Sequence, residues 1–267
     1  MIRVDTTPGA GPPKIIKNGV LIMNVVVTNS YDESCAYVAD MICRLVNEKP
    51  DCKLGLATGG TPVPMYKKLI EANQAGKVDF SKVRTVNLDE YCGIPATHDQ
   101  SYRYFMNTNL FDHINIDKAN TYVASGMGDP QANAAALEAK VREGGVADLQ
   151  LLGIGNNGHI AFNEAADKLH ATAHIEKLTE STIHANSRFF EKEEDVPTTA
   201  ITMGMGDILA AKCVVLIATG LAKTEAIRGL VMDDVITTHN PSTMLKMHGN
   251  VYVVIDRELA DAVGYKG

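Results

Sequence analysis

The sequence predicts an α/β fold, a Rossmann-like, doubly wound, mostly parallel sheet with helices on both faces. Three observations predict it. Strand-like runs alternate with helix-period segments from Met23 onward. The strand-like runs are apolar nearly throughout, as strands buried on both faces require. Three glycine-bearing loops fall at the ends of such runs, where open α/β sheets bind ligands.

Taken in order, Asn24–Thr28 (NVVVT) reads as a buried strand, and Val38, Met41, Ile42, Leu45 and Val46 share one face of the helix after it. Lys53–Thr58 is the next strand, followed by Gly59-Gly60 and a helix opened by Pro62. Arg84–Leu88 is a short strand and Ser101–Leu110 a helix. Asp129-Pro130 starts a helix carrying Ala134, Leu137 and Val141, which Gly144-Gly145 ends. Asp148–Ile154 is a strand running into a glycine-rich turn. Lys212–Ala218 is another, followed by a helix with Lys223, Ala226, Ile227, Leu230 and Val231 on one face, and Val251–Asp256 is the last.

The 267 residues include 45% hydrophobic and 21% charged positions, a globular composition with enough chain for a sizeable core. No linker-like stretch or repeat divides residues 23–267, which read as one domain. Residues 1–22, rich in Pro and Gly, read as an upstream extension without evident chemistry and without the pattern of a signal peptide. The 25 basic and 32 acidic residues leave a net charge of −7 without a block of like charge, so neither nucleic acid nor a membrane surface is expected as a partner. No apolar run approaches the roughly 18–20 residues of a membrane span. Cys35, Cys43, Cys52, Cys92 and Cys213 form no C-x-x-C pair; reduced thiols in a cytoplasm, with no cysteine zinc site, fit that pattern.

In the first loop, Leu56–Pro62 (LATGGTP), Gly59 and Gly60 let the backbone approach a ligand, Thr58 and Thr61 offer hydroxyls, and the following helix presents free N–H groups suited to a phosphate. A nucleotide P-loop would add a lysine, which is missing; a threonine-capped turn is the structural alternative. In the second, Asn87–Gly93 (NLDEYCG), Asp89 and Glu90 point to opposite sides of a strand, so one of them faces a pocket where a carboxylate could take a proton next to a carbonyl. The alternative is that both acids cap or bridge neighbouring elements. The third, Gly153–Glu164 (GIGNNGHIAFNE), matches the dinucleotide pattern G-x-G-x-x-G, with Glu176 at the spacing of a ribose ligand. Its more specific content is His159 with Glu164, an acid/base pair on one loop. Arg188, and Lys223 at a helix start after a buried strand, complete the cations; a cation opposing a helix dipole makes sense where an anion also sits.

Together LGLATGGTP, NLDEYCGIP with SYRYFM, LLGIGNNGHIAFNE, HANSRFF and TGLAKTEAI resemble the glucosamine-6-phosphate deaminase/isomerase family, in order from about Met23 to the end of the chain. The resemblance implies a Rossmann-like fold and conversion of glucosamine 6-phosphate to fructose 6-phosphate and ammonia, with no redox cofactor and no metal. It places the enolisation base on Asp89, the ring-opening histidine on His159 and its supporting carboxylate on Glu164. Phosphate contacts fall on Thr58, Gly59, Gly60, Thr61, Arg188 and Lys223. Asn157 stands where allosteric bacterial members carry an aspartate, and as an amide it is expected to orient the imidazole by accepting its N–H, leaving charge stabilisation to Glu164. Ala165 replaces the usual proline. His174 and Glu176 stand where those members carry the cations that bind an activator's phosphate, so no activation by N-acetylglucosamine 6-phosphate is expected, and a hexamer is not implied.

The competing readings are galactosamine-6-phosphate deaminase/isomerase, 6-phosphogluconolactonase, a catalytically silent sugar-phosphate sensor and a dehydrogenase. The second family has a His-Thr-Ala-Ser pattern at HIAFNE and Asp-Glu-Arg at DEY. A sensor would not need Asp89, His159 and Glu164 together.

Overall fold

The computed structural model describes residues 23–188 and 190–266, together with the backbone of a two-residue antiparallel pair, Ile16–Lys17 with Val20–Leu21. The expected upstream extension, residues 1–22, otherwise lies outside the described residues.

Ten strands and eight α-helices are described from Asn24 on. In chain order they are β1 (Asn24–Thr28), α1 (Tyr31–Glu48), β2 (Lys53–Leu56), α2 (Val63–Gln74), β3 (Arg84–Asn87), β4 (Asp89–Tyr91) and α3 (Tyr102–Asn109). Then come β5 (Thr121–Tyr122), α4 (Pro130–Arg142), β6 (Leu149–Leu152), β7 (His174–Lys177), α5 (Glu180–Ser187), β8 (Thr199–Thr202) and α6 (Met205–Leu209). β9 (Val214–Ala218), α7 (Thr224–Val231), β10 (Val251–Asp256) and α8 (Arg257–Val263) complete the chain.

Seven strands form one parallel sheet in the order β1-β10-β9-β6-β2-β3-β5. Right-handed crossovers fix which face each helix covers. From β2 the chain winds outward through β3 to β5, and from β6 it winds the other way through β9 to β10. Helices therefore lie on opposite faces on the two sides, and the winding reverses between β2 and β6. The all-buried faces of β2, β6 and β9 follow from this double cover. The periodicity reading of α1 holds in its essentials: Val38, Ile42 and Val46 are buried, joined by Cys35 and Ala39, while Ser30 caps the first turn by accepting from the Glu33 N–H at 3.2 Å.

At the amino ends of the strands, Asp148 accepts from the ammonium groups of Lys49 and Lys212 at 2.8 Å and from the Lys53 backbone N–H at 2.9 Å. The buried Lys53 ammonium lies against the end of α4, within 2.7–3.1 Å of the carbonyls of Lys140, Val141, Glu143 and Gly145. It satisfies acceptors that a helix end leaves without partners.

The structure adds what the sequence reading lacked. β4, β8 and β7 form a second, antiparallel three-stranded sheet, and β5 is a short edge strand. The strands expected at Lys53–Thr58 and Asp148–Ile154 shorten to Lys53–Leu56 and Leu149–Leu152, because their ends turn into loops. A small core of Tyr91, Phe162, Leu178 and Ala200 packs beside the second sheet, apart from the main one. All five cysteines are free thiols. Among the described residues no helix is long and apolar enough to cross a membrane.

Gly55 in β2 has a steric reason. A Cβ there would stand 1.9 Å from Oε1 of Gln150 on the adjoining β6. Gly55→Ala should lower the unfolding free energy by about 1–3 kcal/mol through overpacking. The cost should shrink in a Gln150→Ala background, and a double-mutant cycle by urea denaturation reads the coupling.

Candidate active site

β3, β2, β6 and β9 are consecutive neighbours in a parallel sheet, so their carboxyl ends lie side by side along one edge. The segments that leave those ends carry Asp89 after β3, Thr58–Thr61 after β2, His159 and Glu164 after β6, and Lys223 after β9. The reversal of winding between β2 and β6 puts the middle of this row at the sheet's switch point, the place where open α/β sheets bind their ligands.

The chain reaches Asp89 by leaving the main sheet at Leu88. The Leu88 N–H donates to the Leu56 carbonyl at 3.2 Å, and the Leu88 carbonyl accepts from the Met203 N–H at 2.8 Å. From there β4 pairs with β8, Asp89 opposite Thr202 and Glu90 opposite Ile201. The two acids take opposite sides and different roles. Glu90 is buried and accepts from the N–H groups of Tyr91 and Tyr102 at 2.9 Å and of Arg103 at 3.0 Å, fastening the start of α3. Asp89 is also buried, at 6% exposure, but accepts no hydrogen bond from the described residues. Burial first, and then the neighbouring Glu90 charge, push its carboxyl up to about 8.

The loop after β6 is an acid/base arrangement without a helix behind it. His159 Nδ1 stands 3.4 Å from Glu164 Oε2, an ion-pair distance, yet without hydrogen-bond alignment. Glu164 accepts from the Asn157 amide at 3.0 Å and from the Thr182 hydroxyl. Burial raises the Glu164 carboxyl, but His159, Thr182 and Asn157 together outweigh it and hold it at about 2. Asn157 corrects the expectation placed on it: its Oδ1 accepts the backbone N–H of His159 at 3.1 Å, not the ring's, and its amide serves Glu164. It shapes the loop and orients the carboxylate.

The dinucleotide reading also fails. No helix follows Gly158, and the space a Cβ would fill at Gly155 is taken by the His159 ring, 2.3 Å away. At Gly158, with φ +84°, a Cβ would meet Asn240 Oδ1 at 1.9 Å. These glycines seat an imidazole and a neighbouring asparagine rather than a pyrophosphate. Glu176, the spacing-based ribose ligand, sits on β7 and accepts from His174 at 3.2 Å. Ala161, at φ 54°, takes the left-handed backbone in the tight turn between His159 and Glu164.

The third group is cationic. Half-buried Lys223 lies in a 3₁₀ turn (Leu221–Lys223) leading into α7, reached through Gly220 at φ +87°. Burial, and then the nearby Arg188 guanidinium, push its ammonium down, so two cations share one locality. The loop after β2, at the same edge of the sheet, also suits an anion. Gly59 has φ +90°, the first-turn N–H groups of α2 have no side-chain cap, and the Thr58 and Thr61 hydroxyls bond to none of the described residues. The threonine-cap alternative is thereby excluded.

Sequence reasoning missed Thr182 and Thr202. Thr202 accepts from the Phe162 N–H at 3.2 Å, and Thr182 rides on α5 with Asn186, which donates to the Tyr91 hydroxyl at 2.9 Å. Nothing in the local sequence distinguishes these residues, since the role of Thr202 depends on a sheet made of short strands and that of Thr182 on where α5 packs. Among the described residues no group of three or more His, Cys, Asp and Glu side chains could hold a metal ion.

A family model described as glucosamine-6-phosphate isomerases/6-phosphogluconolactonase matches residues 28–253. The glucosamine-6-phosphate deaminase of Clostridium beijerinckii is 50% identical over 242 residues, spanning 90% of this chain and 100% of that protein. That of Thermoanaerobacter pseudethanolicus is 46% identical over 242 residues, spanning 90% and 95%. Among solved structures, a monomeric glucosamine-6-phosphate deaminase superimposes with a TM-score of 0.87 at 38% identity, covering 90% of this chain and 100% of its own. The 6-phosphogluconolactonase of Trypanosoma cruzi gives 0.72 at 19% identity, covering 90% and 96%, a likeness of fold alone.

The raised Asp89 carboxyl has a stability consequence. Between its ordinary value of 3.8 and about 8, the folded chain keeps a proton that the unfolded chain has lost, so stability falls as pH rises through that window. Asp89→Asn removes the loss. Its melting temperature should exceed that of the wild type, by more at pH 8 than at pH 5, in paired thermal scans.

Proposed function

This chain belongs to the glucosamine-6-phosphate isomerase/6-phosphogluconolactonase family, and we propose that its switch-point crevice is the catalytic site. The protein is an enzyme of amino-sugar metabolism, a glucosamine-6-phosphate deaminase, that converts glucosamine 6-phosphate to fructose 6-phosphate and ammonia. The single observation that carries the assignment of roles is the buried, unbonded Asp89 carboxyl on the sheet edge shared by His159 and Lys223.

The sugar's phosphate docks on the N–H groups and hydroxyls of Thr58, Gly59, Gly60 and Thr61, with Arg188 and Lys223 supplying charge. His159 moves a proton between the anomeric hydroxyl and the ring oxygen and so opens the ring. Glu164, ionised through its Thr182 and Asn157 hydrogen bonds, keeps a negative charge beside the imidazole. Asp89 removes the proton on C2, the C–H electron pair becomes the C1–C2 double bond of an enolamine, and the C1 carbonyl π pair moves to O1, which takes a proton from water. The same carboxyl returns the proton to C1, leaving a ketimine at C2. Water adds at C2, the C–N bond breaks, and ammonia leaves as the ketone forms. C1 is reduced as C2 is oxidised, so hydrogen stays within the substrate. A carboxyl at about 8 is matched to this shuttle, since it can both take and return a proton near neutrality.

The partner is thus a small hexosamine phosphate. We place the reaction in the cytoplasm, where five free thiols stay reduced. Glu176, 3.2 Å from His174, sets a carboxyl group rather than a cation after the catalytic loop, which supports reading the enzyme as one that N-acetylglucosamine 6-phosphate does not activate.

Ammonia release measured side by side should be faster from glucosamine 6-phosphate than from galactosamine 6-phosphate. Asp89→Asn should lose about 10²–10⁴-fold in kcat, the usual contribution of a positioned acid–base group, with KM little changed. Activity retained in Asp89→Asn would remove that residue from its role. In wild type the acid limb of kcat/KM should lie well above the ordinary carboxylate range, because the ionised base is the active form and burial holds its proton on.

A further inference from the structure

The ring-opening loop and the cation Lys223 follow neighbouring strands, β6 and β9, and one sugar phosphate can meet both only if they stand at a fixed spacing. β8 holds that loop on the Asp89 side, through Thr202 and Met203. On the Lys223 side the contact comes from the chain between α7 and β10, a tight turn over Thr237 and Asn240 followed by a 3₁₀ stretch, Pro241–Met247. Asn240 reaches both neighbours. Its amide N–H donates to the Ala226 carbonyl at 3.0 Å, in the first turn of α7 and three residues beyond Lys223. Its Oδ1 accepts from the Ser242 hydroxyl at 2.6 Å and occupies the place of a side chain at Gly158, where a Cβ would stand 1.9 Å away. The Ser242 N–H donates to the Gly158 carbonyl at 2.9 Å, so the peptide unit joining Gly158 to His159 is itself bound. The helix side is equally close: a Cβ on Gly229 would stand 2.7 Å from Nδ2.

One half-buried amide is thus wedged between a glycine of the catalytic loop and a glycine of α7, bonded to the helix directly and to the loop through Ser242. The wedge has a stiff base. Ser242 and Thr243 are 0% and 1% exposed, and the Thr243 hydroxyl accepts from the Thr237 N–H at 2.8 Å while its own N–H donates to the Asn240 carbonyl at 2.9 Å. The Lys246 ammonium, on the same 3₁₀ stretch, donates to the carbonyls of Gly229, Asp233 and Val235 at 2.7–2.9 Å and fastens the end of α7. A planar amide with a donor at one corner and an acceptor at the other fixes the gap between two backbones in a way that packing alone does not.

We infer that Asn240 is a positioning residue of the reaction: it sets the spacing between the helix start that carries Lys223 and the peptide that carries His159, so that a sugar held by its phosphate presents its anomeric end to the imidazole. The inference rests on the reading of the crevice as the catalytic site. A shift of about 1 Å in a reacting group can cost 10²-fold in rate. Phosphate binding and ring opening are made by different segments, so loss of the wedge falls on kcat rather than on KM.

Full-length Asn240→Ala and Asn240→Asp are assayed for ammonia release from glucosamine 6-phosphate, alone and combined with His159→Gln, after thermal melts that establish folding at the assay temperature. Asn240→Ala removes the wedge. Asn240→Asp keeps its size and the acceptor for Ser242 but sets a carboxylate oxygen against the Ala226 carbonyl. Each should lower kcat about tenfold with KM changed by less than about threefold. Ser242→Ala, which removes only the hydroxyl bonded to Oδ1, is the milder variant and should show the same signature at about twofold to threefold. In the His159→Gln background each substitution should change kcat by less than about twofold, because the group being positioned is gone. A merely structural role would instead give the same proportional loss with and without His159. The inference is overturned if all three variants keep the kcat of wild type, if their loss falls on KM, or if it persists undiminished beside His159→Gln. Wild type that releases no ammonia, or His159→Gln as active as wild type, would overturn the reading of the crevice and this inference with it.

Discussion

The four residues of β8 are the element through which the two halves of the chemistry are held in register. On one side β8 pairs with β4, setting Thr202 opposite Asp89. From the same residue the Thr202 hydroxyl accepts the Phe162 N–H, in the turn between His159 and Glu164, and the next carbonyl, that of Met203, accepts from the Asn163 amide at 2.8 Å. The proton-transfer carboxyl and the ring-opening loop are therefore fixed to one short strand. Each comes from a different strand of the main sheet, and α5 adds a second tie, from Thr182 to Glu164 and from Asn186 to Tyr91 of β4. Side chains that must work within fractions of an ångström need this kind of common support.

The same scaffold separates two carboxylates by environment. Asp89 is buried without donors, beside another acid, and holds its proton up to about 8. Glu164 is buried too, but three polar neighbours converge on it and hold it ionised down to about 2. Burial acts in the same direction on both; the His159 imidazole and the Thr182 and Asn157 donors make the difference. One carboxyl is prepared to exchange a proton and the other to remain a charge. Glu90, adjacent to Asp89 in sequence, shows the third outcome, a carboxyl spent on starting a helix.

How much of this the sequence revealed follows from what kind of force sets each element. The main sheet was legible because its strands are short apolar runs whose burial is written in their composition. The loops that carry Asp89, His159, Glu164 and Lys223 were legible because glycine, charge and strand ends coincide there. The second sheet was not. Its strands DEY, HIEK and TAIT have no common apolar pattern, and they are fixed by backbone pairing with each other. Thr202 acquires its role only through that pairing, and Thr182 through where α5 sets it against Glu164. Asn157 was read as a ring partner because sequence places an amide near an imidazole but does not say which N–H it meets. The glycines at 155 and 158 fit a nucleotide pattern by letter, whereas the atoms beside them are those of His159 and Asn240.

The strand order also bears on how the chain is made. β1, at one edge of the sheet, has β10 as its neighbour there, and the Asn24 amide reaches the Val251 carbonyl 227 positions along the chain. During synthesis the first strand of the sheet emerges from the ribosome with no mate and waits while almost everything else is translated. Contacts so distant in sequence are costly to close and slow to form. The nascent N-terminal strand, apolar and unpaired, is thus the segment most exposed to wrong partners before release, and the one a chaperone has most reason to shield.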